Sequence, residues 1–102
     1  MTIEAMKALN KMTGGRLTLG KAVRALRLSD ELSQGVLAKR LKVTQSYLSD
    51  LENGRKIISA KKAAAFAKRL GQSERQFVRL ALQDGLVQQG LSQYEVELLK
   101  AA

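Results

Sequence analysis

The sequence predicts an all-α fold, and three observations carry that prediction. Ala, Leu, Lys, Arg and Gln are abundant, Pro is absent and aromatic residues make up only 4% of the chain, a composition that favours helices. Apolar residues recur every three or four positions, the rhythm of helices with one buried face. Ser or Thr precedes these runs and Gly follows several of them, as helix starts and stops require. At 102 residues the chain has room for one domain.

The elements follow in order. A short amphipathic helix over residues 2–12 would group Ile3, Met6 and Leu9 before Gly14-Gly15 stops it; a frayed terminus suits the same residues equally well. Thr18 can cap a helix over 19–28 whose buried stripe is Leu19, Val23 and Leu26, with Lys21 and Arg24 solvated. After a polar connection over 29–32, Ser33 can cap a helix over 34–41. Its apolar set is Val36, Leu37 and Leu41 with Ala38, followed by Val43, and Lys39 and Arg40 lie outside. Gly35 is mildly unfavourable there. It either admits a phosphate close to the backbone or is simply tolerated near a helix end.

Thr44 can cap the next run, which buries Leu48 and Leu51 and turns Gln45, Ser46, Ser49 and Asp50 outward. Small and medium polar residues at a helix start suit the reading of base edges, because they exchange hydrogen bonds without filling a groove. Asn53-Gly54 ends this helix. Ile57 and Ile58 are expected to anchor the loop. Ser59 then caps a helix over 60–70, with Ala64, Phe66, Ala67 and Leu70 on its buried side. Lys61 and Lys62 in its first turn oppose the helix dipole, which a nearby phosphate would offset. Gly71 stops that helix, and Ser73 opens another over 74–83 with Phe77, Leu80 and Ala81 inward.

Beyond it, Gly85 and Gly90 punctuate a tail in which Tyr94-Glu95-Val96-Glu97-Leu98 alternates apolar and acidic. That is the period of a strand with one buried face; Ser92-x-x-Glu95 also reads as a helix-capping box. The strand is the preferred reading, and its partner is expected to be a second subunit or another protein's sheet edge.

Composition excludes several function classes. Without Cys or His there is no disulfide, thiol chemistry, imidazole base or His/Cys metal site, and no cofactor is implied. No apolar run is long enough to span a bilayer and no signal peptide is visible, so a cytoplasmic protein is expected. Net charge is +9 and is unevenly spread: 17 basic against 6 acidic residues up to Arg79, then one against three. A basic body attracts a polyanion by releasing its counterions; on charge alone a merely solvated surface is as good a reading.

The stretch SQGVLAKRLKVTQSYLSDLENG, from Ser33 to Gly54, resembles the helix-turn-helix of the phage-repressor family, the Cro/cI or XRE type. Gln34 opening the first helix, Ala38 within it, VTQSYLSDLENG through the second and Arg55-Lys56 after it match without a gap, and a looser match runs over 19–78. The resemblance implies a five-helix lambda-repressor-like domain that docks its second helix in the major groove of double-stranded DNA. It implies base reading by Gln45, Ser46, Ser49 and Asp50, with Asp50 either accepting from cytosine or repelling wrong sites. Gln34, Asn53, Arg55, Lys56 and Lys61 would hold phosphates and set register, Gln34 also bracing Gln45. Tyr47 would pack on the sugar–phosphate backbone or partly cover the core. Arg27 would pair with Glu52 as a structural ion pair. One departure stands in the turn: many members have Gly where this chain has Lys42, a strain of roughly 1–2 kcal/mol if φ is positive there.

The expected organisation is therefore an N-terminal extension over 1–17, a DNA-binding domain over 18–84, and a tail over 85–102 for dimer or partner contact. The function expected is a transcriptional regulator, a repressor acting as a homodimer. The alternative is an antitoxin that binds a toxin protein through its acidic tail and represses its own operon. No catalytic residue is evident, since no carboxylate pair is grouped with a base. Single-stranded RNA binding lacks a stacking platform, with only Tyr47, Phe66, Phe77 and Tyr94 available.

Overall fold

In the computed structural model, residues 16–101 are described. The helix expected over 2–12 lies outside them. Five helices follow in order: α1 (Leu19–Ser29), α2 (Gln34–Leu41), α3 (Gln45–Glu52), α4 (Ala60–Leu70) and α5 (Glu74–Gln88). The fold is the all-α, five-helix arrangement expected of a lambda-repressor-like domain.

Each helix starts on a hydroxyl. Thr18, Ser33, Thr44, Ser59 and Ser73 are in extended conformation and accept from the backbone N–H of Lys21, Val36, Tyr47, Lys62 and Gln76. Each such cap satisfies an orphan donor and contributes about 1 kcal/mol. Two helix ends share a left-handed turn. Gly71 (φ 66°) ends α4, with Gln72 N–H on Ala67 C=O at 2.8 Å. Lys42 (φ 59°) ends α2 in the same way, with Val43 N–H on Ala38 C=O at 3.0 Å. The turn of the motif thus has the backbone that glycine would favour, built with lysine.

The core is filled by Leu19, Val23, Leu37, Leu41, Leu48, Leu51, Phe66, Phe77 and Leu80, all essentially inaccessible. Three expected core positions differ. Val36 is 46% exposed, because α2 faces the core with Leu37, Ala38 and Leu41. On α4 Ala63 is fully buried where Ala64 was expected. In the loop, Ile58 is the buried anchor and Ile57 stands 37% exposed.

α1 and α3 meet at Gly20. A Cβ there would lie 1.9 Å from the Leu51 carbonyl oxygen, so the helices approach to a distance only glycine allows. A second tie joins α1 to α5. Buried Asp84 accepts from Leu19 N–H at 3.1 Å through one oxygen and from Arg16 Nη2 at 2.7 Å through the other. The carboxylate satisfies a free donor at the positive end of α1.

The tail corrects the sequence reading. α5 does not stop before Gly85 but continues through it to Gln88, and Gly90 (φ 79°) makes the stop, with Leu91 N–H on Leu86 C=O at 2.8 Å. No strand is present among the described residues, nor does a helix start at Ser92. Instead the tail runs back along α5. The Gln83 side-chain amide donates to Tyr94 C=O and accepts from Val96 N–H, both at 2.8 Å, and the Arg75 guanidinium donates to Leu98 C=O. The alternation holds only from Glu95 on, with Val96 and Leu98 half-buried and Glu95 and Glu97 exposed, while Tyr94 stands 58% exposed. Its partner is a helix, whose glutamine supplies the donor and acceptor a neighbouring peptide would. The expected pairing with a second subunit's strand falls with the strand.

Candidate nucleic-acid interface

α3 is fixed from behind. Leu48 and Leu51 are buried, and Glu52 closes the helix with its carboxylate 2% exposed. Such a charge needs compensation. Arg27 supplies it with a fork: Nε donates to Oε2 at 2.8 Å and Nη2 to Oε1 at 2.9 Å, while Nη1 donates to Leu32 C=O at 3.0 Å. The hydrogen bond to Glu52 raises the Arg27 pKa above its usual value, against the opposing effect of burial. Gln34 adds a donor to Glu52 Oε1 at 3.2 Å, and its amide is engaged there rather than with Gln45.

The front of α3 is open. Gln45 and Ser46 are exposed, and Ser49 and Asp50 are half-exposed. Gln45 Oε1 lies over the start of α2, 3.7 Å from where a Cβ on Gly35 would stand. Toward the helix end, Asn53 turns back and donates to Ser49 C=O at 2.8 Å. Arg55 Nε donates to Asp50 Oδ1 at 2.9 Å. The geometry therefore joins a residue expected to read bases to one expected to hold a phosphate. This pair is exposed on both sides, so it is weak and readily exchanged for another partner.

The flanking cations differ in their engagement. Arg16, Arg55 and Lys56 line an open cavity of about 260 Å³ between the start of α1, the α3–α4 loop and the end of α5. Arg16 and Arg55 each have a carboxylate partner. Lys56, Lys61 and Lys62 have none among the described residues. Lys56 Nζ and Lys62 Nζ each lie 4.7 Å from the centroid of the Tyr47 ring. Sequence reasoning singled out Lys56 and Lys61 but passed over Lys62 as a site residue. It also missed Gly20 and Asp84, which hold α3 and α1 in place; a glycine on the packed face of α1 was the available signal for the first.

This arrangement is a helix with a polar, solvent-facing front, packed against α1 and α2 and edged by lysines that have no carboxylate partner among the described residues. Among the described residues no group of His, Cys, Asp or Glu is placed to hold a metal ion, and no helix is long and apolar enough to cross a membrane. A family model described as helix-turn-helix matches residues 23–77, more than half of the chain. The chain belongs to this helix-turn-helix family. The resemblance carried by Gln34, Ala38 and the run from Val43 to Gly54 falls inside the matched segment.

Two crystal structures of the clp gene regulator ClgR from Corynebacterium glutamicum are similar to it. One is 34% identical, covering 63% of this chain and 83% of that one, with a TM-score of 0.52. The other is 31% identical, covering 74% and 80%, also with a TM-score of 0.52. No curated protein matches the sequence.

Proposed function

We propose that this helix-turn-helix protein is a sequence-specific regulator of transcription that binds double-stranded DNA, acting in the cytoplasm as a homodimeric repressor that occupies its operator. One observation carries the reading: Gln45 and Ser46 stand exposed on a helix whose opposite side is locked into the core. A helix entering the major groove needs that combination of an adaptable front and an immovable back. Similarity to a clp gene regulator supports the same general role. Gln45, Ser46, Ser49 and Asp50 are the proposed base readers. Gln34, Asn53, Arg55, Lys56 and Lys61 are the proposed phosphate ligands, and Arg27 with Glu52 is the proposed structural pair. Arg55 and Asp50 would part on binding, freeing one for a phosphate and the other for a base edge. The protein acts by binding, not by catalysis. In a dimer the two α3 helices would be about 34 Å apart, one turn of duplex.

The antitoxin alternative rests on the acidic tail. That tail is engaged within its own chain through Gln83 and Arg75, and no feature of it points to a toxin, so we keep the regulator reading. Selection from a random duplex library is the test. It should return a two-fold site, and Gln45→Ala should lose about 1–3 kcal/mol on that site and relax preference at one base position per half-site. Failure to enrich any sequence, or an unchanged preference in the variant, would overturn base reading by α3.

A further inference from the structure

Two lysines from different elements each lie against the Tyr47 ring. Tyr47 belongs to the first turn of α3, Lys56 to the following loop and Lys62 to the first turn of α4. Each ammonium is 4.7 Å from the ring centroid, within the range of a cation–π contact. The two charges are thus at most twice that distance apart, and among the described residues neither has a carboxylate within ion-pair distance. Among the described residues the Tyr47 hydroxyl has no hydrogen-bond partner, so the ring works through its face. Lys61 and Lys62 also stand in the first turn of a helix with no acidic residue there, where they add to the positive end of the dipole. Like charges this close repel, and an anion bound near both offsets the repulsion.

We propose that Tyr47 is a positioning residue that pre-sets Lys56 and Lys62 as a two-ammonium clamp for the DNA backbone beside α3. The clamp rests on the duplex-binding reading above and adds to it Lys62 as a phosphate ligand and a defined role for the Tyr47 ring. A free lysine must give up rotamer freedom when it engages a phosphate; one already laid on a ring has given up much of it.

The test uses the full chain, a random-sequence duplex and fluorescence anisotropy across a salt series. Lys62→Gln should reduce the slope of log affinity against log salt by about one, the signature of one lost phosphate contact. Tyr47→Leu keeps the lysines but not the ring. It should weaken binding about three- to tenfold with little change in slope, while Tyr47→Phe should bind as the unaltered chain does. Combining Tyr47→Leu with Lys62→Gln should cost less than the product of the two single losses, because the residues act together. An unchanged slope in Lys62→Gln, a Tyr47→Phe variant as weak as Tyr47→Leu, or a multiplicative double variant would each overturn the clamp while leaving the regulator reading in place. Absence of any duplex binding by the unaltered chain would overturn both.

Discussion

Replacing Gly20 by alanine sets two effects of opposite sign against each other. Helix propensity favours the change: alanine in place of a helical glycine gains about 1 kcal/mol at most. Packing opposes it. The new methyl would stand 1.9 Å from the Leu51 carbonyl oxygen, 2.8 Å from its carbon and 3.3 Å from Glu52 Cα. These are backbone atoms, so no rotamer change relieves the overlap. Reaching even a tight contact of roughly 3 Å would move α3 away from α1 by about 1 Å. α3 is held by Leu48 and Leu51 in the core and by the Arg27–Glu52 fork, and overpacking of this kind typically costs about 1–3 kcal/mol or more. The net expectation is a loss of about 1–2 kcal/mol, a fall in Tm of roughly 5–15 °C for a domain of this size. Gly85→Ala is the matched control, since that helical glycine has nothing within 4 Å of the added methyl. It should gain about 0.4–1 kcal/mol. Thermal denaturation followed by circular dichroism measures both, and duplex binding reports on α3. A Gly20→Ala protein as stable as the unaltered one would refute the reasoning.

Lys42→Gly relieves the left-handed backbone that ends α2 and should stabilise the protein by about 0.5–1 kcal/mol; an unchanged or lowered urea midpoint would show that the turn carries no strain. Arg27→Met leaves the Glu52 carboxylate, 2% exposed, without its counter-charge, and should cost about 3–5 kcal/mol. Adding Glu52→Leu should recover much of that loss, and a single variant with the normal midpoint would count against a structural role for the pair.

What could be read from the sequence was mostly local. The five caps lie three residues from the N–H groups they accept from, and Gly54 and Gly71 mark turns that their own backbone freedom specifies. Errors arose where a distant partner decides the outcome. Val36 and Ala64 each sit one position from a buried residue, Leu37 and Ala63, and it is the packing of the neighbouring helices that decides which faces inward. Gly20 has no side chain to enter a periodic pattern. Asp84 enters a sequence only as one acidic residue among others, and its burial depends on Leu19 N–H and Arg16, more than sixty residues away. The tail's alternation holds at Val96 and Leu98 but not at Tyr94, and a sequence does not show that a glutamine on a helix will stand in for a strand. At the interface, the outward set on α3 was legible from its buried counterpart. The grip of Arg55 on Asp50 and the gathering of Lys56 and Lys62 over Tyr47 were not, because they form across a helix end and a loop.

The bond from Asp84 to the start of α1 bears on how small a piece of this chain can stand alone. The helix-turn-helix family match closes at residue 77, short of Leu80 and Ala81, which seal the interior, and of the carboxylate that tethers α1. A fragment trimmed to residues 23–77 should lose the cooperative thermal unfolding of the longer chain while keeping helical circular dichroism. Transplanting this helix-turn-helix to another carrier would mean moving Arg16 through the last turn of α5 as one block.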